Sequence, residues 1–247
     1  MKTILEICAA DIDSVYAAAK GRADRIELCC ALSEGGLTPS LGMIDEALLF
    51  KDMKTNVLIR PRSGDFLYSD AELMTMARDI AICRERGVNG VVFGILTPEG
   101  DVDKTACRLL AKMAGNLHKT FHRAFDMCRN PRQAVSDIIE LGFDRILTSG
   151  QAATAMEGAP LIAGLQAEFP EITFIAAGGI TPDNAAEIVS RSGVREIHAS
   201  AKTAIGSAMT YRHSGVSMGS PDADEYARTT TSADIVEMIK DKLLKIN

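Results

Sequence analysis

The sequence predicts an α/β fold, a single-domain (β/α)8 TIM barrel over residues 1–247. Three observations predict it. Short β-branched or apolar runs alternate with longer segments of helical spacing from end to end. Eight such pairs in 247 residues average about 31 residues each, the size of an ordinary barrel unit. No G-x-G-x-x-G follows the first strand-like run, which argues against a doubly wound open sheet.

The elements follow in order. Strand-like Thr3–Cys8 precedes helical Asp13–Lys20, and Arg25–Cys29 precedes Ser40–Phe50. Asn56–Ile59 leads to Asp70–Arg86, and Gly90–Phe93 to Asp103–Ala114. His118–Phe121 leads to Pro131–Leu141, and Arg145–Leu147 to Thr154–Phe169. Ile172–Ala176 leads to Pro182–Arg191, and Glu196–Ala199 to a closing helix near Ser232–Leu244. Pro39, Pro131 and Pro182 sit near helix starts, where a missing N–H costs little. Gly21, Gly87, Gly142 and Gly193 follow helices, where a left-handed residue is wanted. Ser207–Ser232, rich in Ser, Gly and Thr, is expected as a rim loop or lid after the eighth strand.

Composition narrows the function. With 27 Lys plus Arg against 33 Asp plus Glu the net charge is −6, so nucleic acid is not an expected partner. Hydrophobic residues at 47% and charged residues at 24% argue for a globular chain rather than a disordered one. No apolar run approaches the roughly 18–20 residues of a membrane span, so no membrane partner is expected. The six cysteines form no C-x-x-C, which disfavours a structural zinc ribbon. No signal-peptide pattern follows Met1, and a cytoplasmic location with reduced thiols is expected.

Strand alternation predicts a polar interior. In Ile4–Cys8, Glu6 and Cys8 share one face; in Arg25–Cys29, Glu27 and Cys29 do. With the apolar faces turned to the helices, these four point inward from adjacent strands. The same pattern turns Leu58 and Arg60, Thr120 and His122, and Glu196, His198 and Ser200 inward. Barrel interiors are usually Val, Ile and Leu, so a connected polar network there is a candidate site. A purely structural salt-bridge network is the competing explanation.

The loops add further candidates. Arg60-Pro61-Arg62 reads as a stiff cationic fork for phosphate or carboxylate, with pairing of Arg60 to Glu27 as the alternative. His122, Arg123 and Asp126 suit proton transfer and anion stabilisation. Ser149 ends the sixth strand and offers a hydroxyl. Gly178 and Gly179 precede a helix and resemble a phosphate-binding corner, or else a tight turn. Cys8 and Cys29 are placed either to pack or to bind a soft metal ion.

Arg25-Ile26-Glu27-Leu28-Cys29, Gly35–Ser40, Ile59–Arg62, Gly64-Asp65-Phe66, Thr120–Asp126, Leu147–Gly150 and Glu196–Ser200 together resemble the CutC family. The likeness runs in order over nearly the whole chain; Ser63 stands where a glycine is common, and Ala177–Ile180 is less glycine-rich than many members. It implies a cytosolic TIM barrel, homo-oligomeric as a dimer or tetramer, with a role in copper homeostasis. It further implies Cu(I) as the bound ion, on Cys8 and Cys29. Two function classes therefore fit the chain. One is copper binding through that cysteine pair. The other is an enzyme or sensor for a small phosphorylated or carboxylated molecule. There Glu27, His122, Arg123, Asp126 and His198 would carry the chemistry, and Glu6, Arg60, Arg62, Ser149, Gly178, Gly179 and Ser200 would hold the ligand.

Overall fold

A computed structural model describes residues 2–213, 215, 216, 218 and 224–246. The strands are β1 (Ile4–Ala9), β2 (Arg25–Leu28), β3 (Lys54–Leu58), β4 (Gly90–Phe93), β5 (His118–Phe121), β6 (Arg145–Thr148), β7 (Thr173–Ala177) and β8 (Glu196–Ala199). They pair in sequence order, all parallel, and β1 closes on β8, giving a barrel. The helices are α1 (Ile12–Lys20), α2 (Leu41–Ala47), α3 (Asp70–Arg86), α4 (Lys104–Ala114), α5 (Pro131–Glu140), α6 (Ala155–Glu168), α7 (Ala185–Ser192) and α8 (Ala233–Leu244). All eight expected strand–helix pairs are present, with ends moved by a few residues.

Local chemistry sets the helix starts. Asp11, Ser40, Ser69, Asp103, Asn130, Thr154 and Ser232 each accept a backbone N–H of the first turn. Ser69 and Glu72 complete a reciprocal capping box. Gly87, Gly142 and Gly193 are left-handed, as their positions predict, but Gly21 is not, with φ −79°. There the constraint is space: a Cβ on Gly21 would lie 2.5 Å from Val236 Cβ, because α8 crosses that point. The left-handed residue is the next one, Arg22.

The apolar residues form one large core between sheet and helices, including Phe93, Phe121, Phe143 and Phe174. Among the described residues, two small apolar patches stand apart from it, formed by residues on the interior side of the strands. One is Cys8, Cys29, Leu58 and Val92; the other is Leu147, Ile175 and Ala177. Polar side chains fill the space between them, as alternation predicts.

After β8 the chain departs from the expected rim loop. Strands β9 (Lys202–Gly206) and β10 (Ala227–Thr231) pair antiparallel. Arg228 pairs with Asp11 and Asp13, and Thr231 N donates to Ser14 Oγ at 3.0 Å, pinning the ribbon to the start of α1. Within the predicted Ser207–Ser232 segment, residues 214, 217 and 219–223 lie outside the described residues. Among the described residues no helix is long and apolar enough to cross a membrane.

Candidate functional site

The interior is built in layers. Deepest is an ion-pair chain in which Arg25 bridges Glu6 and Glu196, and Arg145 reaches Glu196 at 3.1 Å. Pairing of this kind compensates charges that burial would otherwise make costly. Burial alone would raise the Glu6 carboxyl, but the Arg25 charge and the His198 hydrogen bond outweigh it and hold the group at about 2. Glu6 is therefore an ionised acceptor near neutrality.

Above it sits a cluster on β1, β2 and β8. His198 Nδ1 lies 2.8 Å from Glu6 Oε1 and donates to it. The other ring nitrogen, Nε2, faces Glu27 Oε2 at 3.9 Å. One ligand atom each from Cys8, Glu27 and His198 lies within 4.8 Å of the others. Cys8 Sγ and Cys29 Sγ are 3.6 Å apart. Burial pushes the Glu27 carboxyl up to about 7; His198 opposes that shift and Glu6 adds to it. Burial would lower His198, but the Glu27 and Glu6 charges raise it. The Cys8 thiol is pushed up by its hydrogen bond to Cys29, by burial, and by the nearby acidic groups.

The top layer opens into a cavity of about 960 Å³ at the C-terminal ends of the strands. Cys8, Glu27, Arg60, His122, Arg123, Asp126, Gly178, Gly179, His198 and Ser200 all line it, as the sequence predicts for the rim. Four predicted site residues do not. Glu6 lies beneath, held by Arg25 and His198. Cys29 is fully buried beside Cys8. Ser149 is buried and accepts from Arg123 while donating to the Ala152 carbonyl. Arg62 turns away: β3 ends at Leu58, and Arg62 pairs with Glu72 at 2.6 Å and Asp65 at 3.0 Å.

The cationic fork therefore does not form, and Arg60 does not pair with Glu27. Arg60 instead donates to the carbonyls of Glu34, Gly36 and Gly64. Asp126 lines the cavity, but its oxygens accept from Thr148, Ser149, Gln151 and Arg123, so it organises the loop after β6. Gly178 and Gly179 have φ of 101° and 72°, and Asn184 closes the turn by donating to the Gly179 carbonyl at 2.8 Å. The helix starts at Ala185, later than the sequence predicts.

Sequence reasoning missed Arg25 as the hub of the network. The signal was present: Arg25 is two residues from Glu27 and so shares its face. It also missed Phe66, whose ring packs beside both His122 and Arg60.

Comparison with known proteins decides the family. The CutC family model matches residues 3–203. The chain belongs to the CutC family. The family protein CutC of Chromobacterium violaceum is 48% identical over 246 residues, covering 99% of this chain and 100% of that protein. The human copper homeostasis protein cutC homolog is 42% identical, covering 96% and 87%. The crystal structure of CutC from Streptococcus agalactiae superimposes with TM-score 0.77 at 32% identity, covering 80% of this chain and 98% of that one. A thiamine phosphate pyrophosphorylase from Pyrococcus furiosus, at 17% identity and TM-score 0.58, shares the barrel fold alone.

Proposed function

We propose that this CutC-family chain serves copper homeostasis by binding Cu(I) at the floor of the barrel mouth. Cys8 and Cys29 are the soft ligands, and His198 Nε2 is the third. The observation that carries this reading is the 3.6 Å separation of the two sulfurs, one of them on the cavity wall. Thiolates suit Cu(I), whereas the Glu27 carboxylate is a hard donor that suits it poorly. The hydrogen bond from His198 Nδ1 to Glu6 supports the same reading, because metal-bound imidazoles are usually oriented through their other nitrogen by a carboxylate. The raised thiol means that binding must expel protons, so affinity rises with pH. A cytoplasmic setting, where thiols stay reduced, fits such a site.

Anaerobic Cu(I) titration against a competing chelator tests the proposal on the unaltered protein, Cys8→Ser and Cys29→Ala. Each substitution should abolish tight binding. Equal affinity in Cys29→Ala overturns it.

A second use of the mouth is favoured by its size. A cavity of about 960 Å³ is far larger than one ion needs and falls in the range of small-molecule sites. As an enzyme or sensor, the chain would hold a small anionic molecule in that space. Metabolite-fragment binding in metal-free protein tests it, and the absence of any ligand in the cavity would rule it out.

A further inference from the structure

We propose that Arg60 and His122 form a clamp for the carboxylate of a small hydroxy- or oxo-carboxylic acid bound in the barrel-mouth cavity. The clamp presupposes the second use of the cavity and owes nothing to copper.

Arg60 is a buried cation, 6% exposed. Its terminal nitrogens donate to three backbone carbonyls, at 2.8, 3.0 and 2.7 Å. Those contacts supply dipoles but no opposite charge, and among the described residues no carboxylate pairs with it. Of the two N–H groups left over, Nε–H is buried and has no protein partner. A buried donor left unpaired is costly, the more so where the group is charged, so an acceptor that reaches it is strongly favoured.

His122 stands beside it, 5% exposed. Its Nδ1 accepts from the Ala124 backbone N–H at 3.2 Å, so the ring proton of the neutral imidazole sits on Nε2. Nε2 also lacks a protein partner. Burial and the Arg60 charge keep the ring neutral, with a pKa of about 3, so its tautomer persists through the physiological range. Phe66 packs beside both: Arg60 Cζ is 5.2 Å from its ring centroid and the His122 ring 4.8 Å. Two buried, unpartnered N–H donors and one positive charge without a carboxylate partner therefore belong to residues that share an aromatic neighbour and line the cavity.

The chemistry that completes this arrangement has two acceptor oxygens and one negative charge, which is a carboxylate. A phosphate dianion would bring two charges to the single one on Arg60, and its second would have to find Arg123, already paired with Asp126, or Lys202 elsewhere on the wall. A neutral amide would leave the Arg60 charge unmet. The other walls include Leu32, Leu58, Leu147 and Ile180, so the ligand's carbon frame packs against apolar side chains. Glu27 Oε1 is a third buried polar atom without a protein partner; as a carboxylate it accepts from a hydroxyl on that frame, and as a carboxylic acid it donates to an oxo group.

The test is calorimetric titration of metal-free, full-length protein with pyruvate, lactate and glycerate. Lactamide and inorganic phosphate serve as controls, and ¹⁵N NMR of the His122 imidazole is followed in parallel. At least one carboxylate should bind saturably and shift Nε2 while Nδ1 keeps its unprotonated signature. Arg60→Lys and His122→Phe should each weaken that binding about tenfold or more, the loss expected of one charge-assisted hydrogen bond. If either variant fails to fold, the Nε2 shift in the unaltered protein remains the deciding measurement. Lactamide binding as well as lactate, or carboxylate binding that leaves Nε2 unmoved, overturns the clamp. Phosphate binding without carboxylate binding overturns the clamp but preserves the anionic-ligand reading. Binding by none of the probes overturns both.

Discussion

His198 Nδ1 donates to Glu6 Oε1 at 2.8 Å, and Arg25 clasps the same carboxylate from the other side. The contact fixes which imidazole nitrogen is free. Nε2 is left on the side of Glu27 and Cys8, where a soft ion would need it. Loss of such an orienting carboxylate typically weakens metal affinity about 10–100-fold. Glu6→Gln should therefore weaken Cu(I) binding by that factor, read by chelator competition. Unchanged affinity would remove His198 from the ligand set.

Arg25 neutralises two buried carboxylates at once. Arg25→Met keeps much of the side-chain volume but leaves Glu6 without its guanidinium. Breaking a buried pair from one side typically costs about 3–5 kcal/mol. Urea unfolding should show a loss of that size, and Glu6→Gln combined with Arg25→Met should recover part of it. A loss below about 1 kcal/mol would show that the network contributes little to stability.

Glu27 gives stability a distinctive pH dependence. Its carboxyl titrates near 7 when folded, against an ordinary 4.5. Between those values the folded chain holds a proton that the unfolded chain has released, so this contribution is complete below 4.5 and declines as pH rises towards 7. His122 acts in the opposite sense. Its pKa falls from 6.5 to about 3, so its contribution grows as pH rises across that interval. Denaturant melts at several pH values should show Glu27→Gln gaining on the unaltered protein from pH 4.5 to 7. A constant difference across that range would contradict the assignment.

Two glycines of α6 should respond oppositely to alanine. A Cβ on Gly158 would lie 1.9 Å from the Ser149 carbonyl, backbone against backbone. Gly158→Ala should cost about 1–3 kcal/mol or more, since neither partner can yield without moving the loop that holds Asp126. Gly164 has nothing within 4 Å of its would-be Cβ. Gly164→Ala should add about 0.5–1 kcal/mol through helix propensity. Thermal melts of both variants check the pair, and a destabilised Gly164→Ala would mean the site is more crowded than it looks.

The barrel was legible because its strands alternate an apolar, helix-facing side with an interior side, and its helices follow period and capping rules. Glu6, Cys8, Glu27 and His198 were found by alternation alone, since they break the apolar pattern expected of an interior. Arg62 was misplaced because Arg60-Pro61-Arg62 was read as one fork, whereas beyond Leu58, where β3 ends, Arg62 pairs with Glu72 and Asp65. Strands β9 and β10 gave no signal: their residues are mostly exposed or half-buried, so no apolar face marks them. The pairing states of Arg60 and His122 depend on carbonyls and an N–H contributed by neighbouring loops, which spacing does not encode.

The closure of β1 on β8 sets the order in which the interior can mature. Glu6 and His198 are 192 positions apart, yet they are direct partners in the closing ladder. Contacts of such separation carry a large entropic cost and form late. A chain still emerging from the ribosome already has Cys8 and Cys29 but lacks the imidazole, and the ring that buries them is open. If the floor holds copper as proposed, its competence coincides with completion of β8, so a half-made protein presents loose thiols rather than a complete ligand set.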